Sequence, residues 1–139
     1  MTKNVLVYIK GVQADFDGEA IETICPGTYY LKEGKHYIFY EEQQEGFTEA
    51  SKCQLRLQRN ECLEVIKKGL SNMHLVLDRT KKTSTTYATP YGQFLLDIDT
   101  KKLEVQESEQ EICIRAKYYM EADGNLITRS EIEIKIKAI

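Results

Sequence analysis

The chain of 139 residues contains no tryptophan, two prolines, two histidines and four cysteines. Zinc sites need histidine and cysteine at recognisable spacing, and no C-x-x-C pair occurs here. An even number of cysteines suggests a disulfide framework, but such frameworks belong to short secreted chains. We therefore predict reduced, structural thiols and no cofactor. The cysteines are Cys25, Cys53, Cys62 and Cys113.

Long apolar runs and an excess of positive charge are also missing. A membrane-spanning helix needs about 20 mostly apolar residues, and no run approaches that length. The net charge is −3, with acidic and basic residues interleaved, so the basic stripe that nucleic-acid binding requires is absent. The first apolar segment, residues 5–9, is too short for a signal peptide. These features predict a cytoplasmic protein with no membrane or nucleic-acid partner.

The pattern that is present most clearly is alternation. Residues 132–137 read Ile-Glu-Ile-Lys-Ile-Lys, so apolar and charged side chains change places at every step. A β-strand has a side-chain period of two, which makes this segment a strand with one buried and one solvated face. The same pattern recurs along almost the whole chain between short turns. It predicts about ten strands.

Residues 48–68 are the most ambiguous segment, because they contain many good helix formers. A helical stripe that starts at Ala50 would include the polar Gln54, whereas Cys53, Leu55 and Leu57 alternate without exception. We therefore predict a strand here. Residues 99–102 are predicted to form a turn. Residues 123–125, Asp-Gly-Asn, give the strongest hairpin signal in the chain.

The connections between predicted strands are nearly all two to five residues long, so consecutive strands are expected to be antiparallel neighbours. A long meander exposes two edges, and closure into a barrel removes them. We predict one all-β domain over residues 1–139, an antiparallel up-and-down β-barrel of about 8–10 strands. A barrel of this size holds either a packed interior or one small ligand.

Several segments resemble a known family. They are Gly11-Val12-Gln13, Ile21-Glu22, Gly27-Thr28-Tyr29-Tyr30, residues 37–42 (Tyr-Ile-Phe-Tyr-Glu-Glu) and residues 87–92 (Tyr-Ala-Thr-Pro-Tyr-Gly). Taken in this order, they resemble the YwiB-like family of bacterial proteins, a domain family of unknown function. The resemblance covers essentially the whole chain. It implies a calycin-type barrel, lipocalin-like in outline, and it brings no catalytic residues with it.

The sequence also departs from the better-known calycins. Without tryptophan it lacks the lipocalin Gly-x-Trp signature, and residues 14–18 are too few for the two-helix lid of fatty-acid-binding proteins. A lipid ligand borrowed from those families would rest on fold analogy alone.

Two features of the sequence suggest metal sites, and both have simpler interpretations. Asp15 and Asp17 precede Gly18, but a calcium loop of the EF-hand type has its glycine at position six, and here it falls at position four. We predict an ordinary turn. His36 begins a strand and His74 lies opposite an apolar face, so both are expected to be structural.

The aromatic strand at residues 37–40 leads into Glu41 and Glu42, which must point to opposite faces. One of these carboxylates could enter the barrel with Tyr40 or Tyr37 and meet Arg56 or Arg115. The simpler interpretation is a carboxylate at the rim, in contact with water. Tyr87, Thr89 and Tyr91 form the best polar aromatic cluster, which would either line a pocket or close a barrel corner around Pro90.

We predict that the barrel binds a small apolar or amphipathic molecule, with contacts from Tyr40, Glu42, Arg56, Tyr87 and Tyr91. The alternative is a protein–protein interaction or structural module with a filled core. A homodimer that covers the apolar outer face of residues 37–40 is one form of it. No constellation of residues supports an enzyme, so no catalytic residue is assigned.

Overall fold

The computed structural model describes residues 3–13, 20–43, 50–69 and 72–139. Within these ranges the chain forms ten strands and no helix. The strands are β1 (Asn4–Gln13), β2 (Ala20–Lys32), β3 (Lys35–Gln43), β4 (Ala50–Gln58), β5 (Cys62–Lys68), β6 (Met73–Asp78), β7 (Thr83–Thr89), β8 (Gly92–Glu107), β9 (Glu111–Ala122) and β10 (Asn125–Ala138).

All ten strands belong to one antiparallel sheet with the order β6-β5-β4-β3-β2-β1-β10-β9-β8-β7. The first and last strands pair along their length, from Val5↔Ala138 to Gln13↔Ser130. The two edge strands, β6 and β7, are consecutive in sequence and lie against each other. The sheet is thus a nearly closed barrel, which confirms the predicted fold.

Side-chain hydroxyl groups hold the β6–β7 seam together. The Thr83 hydroxyl donates a hydrogen bond to the Val76 carbonyl oxygen at 2.6 Å, and the Thr85 hydroxyl donates one to the His74 carbonyl. These two bonds link the edge strands β6 and β7 at positions where paired strands would otherwise be joined by backbone hydrogen bonds.

The lower end of the barrel is defined here as the end that carries the turns at residues 33–34, 59–61, 79–82 and 108–110. The upper end is the opposite one, and it carries the turns at residues 90–91 and 123–124. The inward face of the lower half is aliphatic and tightly buried. The largest fully buried side chains of the core are Val5, Val7, Ile38, Leu55, Leu57, Leu63, Leu77, Ile98, Ile112, Ile114, Ile134 and Ile136.

Two local predictions are confirmed and one is wrong. Residues 53–58 lie in β4, and Asp123 and Gly124 form the β9–β10 turn with φ of 53° and 78°. Residues 99–102 do not form a turn. They belong to β8, whose register against β9 shifts between Thr100 and Lys102. An extra residue at this β-bulge bends the strand without ending it.

The cysteines form no disulfide bond, since all four are free. The outer face of β3 is open to solvent at Phe39, which is 40% exposed, so no other segment that the structure describes covers it completely.

Candidate functional site

The upper half of the barrel interior contains polar side chains at positions where the lower half has aliphatic ones. Tyr40 of β3 lies directly across from Cys53 of β4, and Cys53 lies across from Lys67 of β5. Glu42 lies across from Ser51 in the same pair of strands. All five alternate with outward residues, so strand geometry directs them into the barrel.

Glu42 and Lys67 form an ion pair inside this half of the barrel. The Lys67 Nζ atom lies 3.4 Å from Glu42 Oε1. Cys53 Sγ lies 3.9 Å from the other carboxylate oxygen and 3.8 Å from the Ser51 carbonyl oxygen. Both charged side chains are partly exposed, so solvent reaches the pair. The desolvation cost that a fully buried pair would carry is therefore reduced.

The neighbouring hydroxyl and thiol groups are held in their neutral forms. Burial is the main cause that raises the pKa of Tyr40 far above its ordinary value, and the charges of Cys53 and Glu42 add to it. Burial, followed by the Glu42 charge, raises the pKa of Cys53 to about 11. The pKa of Cys25 is raised by the same two causes. These groups can take part in hydrogen bonds, but they are poor nucleophiles at neutral pH.

A glycine makes room for the tyrosine. Gly27 lies directly across from Tyr40, and a Cβ atom on Gly27 would lie 2.8 Å from the Phe39 carbonyl oxygen and 3.0 Å from Val7 Cγ2. A side chain at this position would force the strands apart, because the nearest obstacle is backbone.

The remaining walls of the upper half are apolar and only partly buried. The inward side chains that pack on the core there are Ile9, Met73, Leu96, Met120 and Ile132. Thr100 and Ser130 flank Tyr118 on the neighbouring strands. The buried hydroxyl oxygen of Thr100 has no hydrogen-bond partner in the part of the chain that the structure describes, whereas the Ser130 hydroxyl is hydrogen-bonded to Tyr118. Buried polar atoms are rarely left without a partner, which makes the Thr100 hydroxyl a candidate for contact with a ligand or water.

The structure brings together only part of the predicted site. Tyr40 and Glu42 lie side by side within the barrel. Arg56 lies on the outer face of β4, with its Cζ atom 5.9 Å from the Tyr37 ring centroid, so it cannot meet the Glu42 carboxylate inside. Tyr91 is 94% exposed at the β7–β8 turn. The backbone of Tyr87 pairs with Phe94 in β7 and β8, but its side chain lies outside the described residues.

Sequence reasoning missed Lys67, and it assigned Cys53 to inert packing. A signal for Lys67 was present, because Leu63 and Val65 are core residues and the period of two places Lys67 on their face. The Asp15–Gly18 turn also lies outside the described residues, so its prediction remains untested.

The crystal structure of the ywiB protein from Bacillus subtilis has a TM-score of 0.84 and 22% sequence identity, covering 99% of this chain and 92% of that one. This match shows the same barrel fold. Comparison with curated proteins gives no match. Residues 3–13, 20–43, 50–69 and 72–139 contain no helix with the length and hydrophobicity of a membrane span.

The sequence itself also matches a family model. Residues 7–134 match the model described as Domain of unknown function (DUF1934). Together with the structural match, this confirms the resemblance to the YwiB-like family. The match extends over most of the chain, and the protein therefore belongs to the DUF1934 family.

Proposed function

We propose that the barrel binds a small amphipathic molecule in its upper half. The observation that carries this proposal is the Glu42–Lys67 ion pair, which lies among inward-facing, partly exposed apolar side chains. Small-molecule sites in proteins combine mostly apolar walls with a few polar groups that fix orientation.

The difference between the two halves of the interior supports this location. The inward aliphatic residues of the lower half, such as Leu57, Leu63 and Ile136, are almost completely buried. In the upper half, the inward residues Ile9, Met73 and Met120 keep part of their surface exposed. A ligand that enters from the upper end would cover that surface and gain about 25 cal/mol for each Å² of apolar area removed from water.

The chemistry of the walls suggests how an amphipathic ligand would lie. Lys67 offers hydrogen-bond donors and Glu42 offers acceptors, so either can hold a polar head group. Methionine side chains are flexible and fill irregular space, which suits an apolar body packed against Met73 and Met120. Binding, rather than catalysis, also fits the raised pKa values of Tyr40 and Cys53. Tyr87 stays a predicted contact.

Fluorescence titration with 1-anilinonaphthalene-8-sulfonate tests the site, because this probe has an apolar body and one anionic group. Lys67→Met is expected to weaken probe binding at least tenfold through loss of the cation. Glu42→Gln is expected to strengthen binding, because it releases Lys67 from its partner. The matched controls are the outward neighbours Lys68→Met and Glu41→Gln, which should change the affinity less than twofold.

Equal effects of Lys67→Met and Lys68→Met would rule out the upper half as the site. Mass spectrometry of the protein purified under native conditions complements the titration, since a co-purifying molecule would identify the ligand class.

The alternative function is self-association through the outer face of β2 and β3. Ile24 is 62% exposed there, and the Tyr30 and Phe39 rings pack edge to face with centroids 5.9 Å apart. Exposed apolar patches of this kind mark contact surfaces. Light scattering that finds a dimer, together with its loss in Ile24→Ser at unchanged circular dichroism, would favour this function. The same variant should leave probe binding in the upper half unchanged.

A cytoplasmic location is part of the proposal. The four free thiols support it, because cysteines stay reduced in that compartment.

A further inference from the structure

A cavity opens at the lower end of the barrel, away from the Glu42–Lys67 pair. Its volume is about 670 Å³, within the range of small-molecule sites. The cavity is lined chiefly by Lys3, Tyr29, Tyr30, Leu31, Glu107 and Glu109. These residues come from the start of the chain, the end of β2, and the end of β8 with the turn that follows it.

Three polar side chains, those of Tyr29, His36 and Glu107, follow one another from the buried side of this cavity to its surface. The Tyr29 hydroxyl oxygen lies 2.5 Å from His36 Nδ1, and His36 Nε2 lies 3.6 Å from Glu107 Oε1. Tyr29 and His36 are buried, whereas Glu107 is half exposed and lines the cavity. Burial, followed by the Glu107 charge, raises the pKa of Tyr29, so its hydroxyl keeps its proton.

The position of the Glu107 carboxylate decides which way the hydrogen bonds run. A neutral imidazole carries its proton on one nitrogen, and a carboxylate favours the proton on the nitrogen that faces it. On this basis we assign the imidazole proton of His36 to Nε2, so that Nδ1 accepts the bond that Tyr29 donates. The Tyr29 oxygen is left with acceptor lone pairs only. Tyr29, Glu107 and Glu109 therefore offer a ligand acceptors only. The hydroxyl of Ser108, which also lines the cavity, donates to the Glu111 carbonyl oxygen at 3.3 Å.

The cavity already holds one positive charge. The Lys3 ammonium lies 5.3 Å from the Tyr30 ring centroid, which is the geometry of a cation–π contact. The two carboxylates of Glu107 and Glu109 outnumber this single ammonium among the lining residues. The lining thus keeps an excess of negative charge beside an aromatic face that accommodates a cation.

We infer that the lower cavity binds a primary ammonium ligand with an apolar chain, in addition to the ligand proposed for the upper half. The ammonium group would donate hydrogen bonds to Glu107 and lie over the Tyr30 ring, next to or in place of the Lys3 ammonium. The apolar chain would contact Leu31 and the ring of Tyr29. Recognition combines charge, donor capacity and aromatic contact, so an anion or a neutral alcohol lacks at least one of them.

NMR titration with three probes of equal length tests this inference. Hexylamine is expected to shift the amide resonances of residues 29–31 and 107–109. Hexanol should bind at least tenfold more weakly, and hexanoate should cause no shift. Glu107→Gln and Glu109→Gln should each weaken hexylamine binding, Glu107→Gln at least tenfold. Lys3→Met should strengthen it, because the competing cation is gone.

The matched control is Glu104→Gln, which removes an exposed carboxylate of the same strand that pairs with Lys102 at 3.4 Å. It should leave the hexylamine-induced shifts of residues 29–31 and 107–109 unchanged, and these resonances separate binding in this cavity from binding in the upper half. Circular dichroism verifies that each variant is folded. Hexanoate binding as strong as hexylamine binding, equal effects of Glu107→Gln and Glu104→Gln, or no hexylamine binding to the unaltered protein would each overturn the inference.

Discussion

Tyr29 and His36 are hydrogen-bonded to each other across the β2–β3 hairpin, inside the lower end of the barrel. The hydroxyl oxygen and Nδ1 are 2.5 Å apart, and the two rings are tilted by 37° with centroids 5.7 Å apart. Their strands pair through Leu31↔His36 and Tyr29↔Ile38, so the two side chains are diagonal neighbours on one face. The phenol thus satisfies an imidazole that is nearly as buried as the aliphatic core.

Removal of that hydroxyl should destabilise the barrel. Tyr29→Phe leaves His36 Nδ1 buried without its partner, which costs about 1–3 kcal/mol in the free energy of unfolding. Urea denaturation followed by circular dichroism measures this. The control is Tyr30→Phe, which keeps the ring packed against Phe39 and should change stability by less than about 0.5 kcal/mol. A loss no greater for Tyr29→Phe than for Tyr30→Phe would show that the hydrogen bond adds nothing.

Backbone conformation, rather than space, should decide the effect of alanine at two glycines. A Cβ atom on either Gly124 or Gly11 meets nothing within 4 Å, but only Gly124 has a left-handed φ, of +78°. Gly124→Ala should destabilise the β9–β10 hairpin by about 1–2 kcal/mol. Gly11→Ala in β1 should be neutral or stabilising by up to about 1 kcal/mol, because it lowers the entropy of the unfolded chain. Thermal denaturation of the two variants gives the comparison, and equal losses would contradict it.

Most of the fold could be predicted because the alternation of side chains is almost unbroken. The error at residues 99–102 shows where this reasoning stops. Asp99, Thr100, Lys101 and Lys102 look like a turn by composition, yet Ile98, Thr100 and Leu103 all face inward. A step of three between inward residues, where two is expected, is the mark of a bulge. The step of three can be recognised in the sequence once the strands on either side of β8 are known.

The candidate sites were much harder to predict than the strands. The alternation of side chains places Tyr40 and Glu42 next to each other on one face, since they are two residues apart on one strand. It does not show that Lys67 of β5 reaches Glu42, nor that Glu107 of β8 reaches His36 of β3. The second pair is 71 residues apart in sequence, on strands that are not neighbours in the sheet. Such contacts depend on how far the barrel closes and on its stagger, which alternation alone leaves open.

The pH dependence of Cys53 alkylation should show that burial and the Glu42 charge raise the pKa of this thiol. Iodoacetamide reacts with the thiolate, and a pKa of about 11 means that alkylation of Cys53 should rise about tenfold for each pH unit from 8 to 10. In the urea-unfolded chain the rise should level off near the ordinary value of 9.0. Mass spectrometry of the Cys53 peptide after timed labelling measures both profiles.

Replacement of Glu42 provides the internal test of that profile. The Glu42 charge raises the pKa of Cys53, so Glu42→Gln should move the profile of the folded protein towards lower pH. The folded state holds the thiol proton more tightly than the unfolded state. This stabilisation is complete below pH 9 and is lost as the pH rises towards 11. A Cys53 profile that levels off at pH 9 in the folded protein would contradict the proposed environment.

The β6–β7 seam should depend on threonine hydroxyls to a degree that other strand pairs do not. Thr85 is buried and bonds to the His74 carbonyl, whereas its neighbour Thr86 points outward and is exposed. Thr85→Val has nearly the same shape but removes the donor, so it should cost about 1–3 kcal/mol. Thr86→Val should be neutral or slightly stabilising, because valine suits a strand. Equilibrium unfolding in urea separates the two variants.

Hydrogen exchange then shows whether the loss in Thr85→Val is local to the seam. Opening there should speed amide exchange in β6 and β7 more than in β1 and β10, which pair with each other through a continuous backbone ladder. The Thr83 hydroxyl would still bond to Val76, so the double variant Thr83→Val/Thr85→Val should widen this difference. If exchange rose evenly over the whole barrel instead, the hydroxyls would contribute to general packing and the edges would be closed by other contacts.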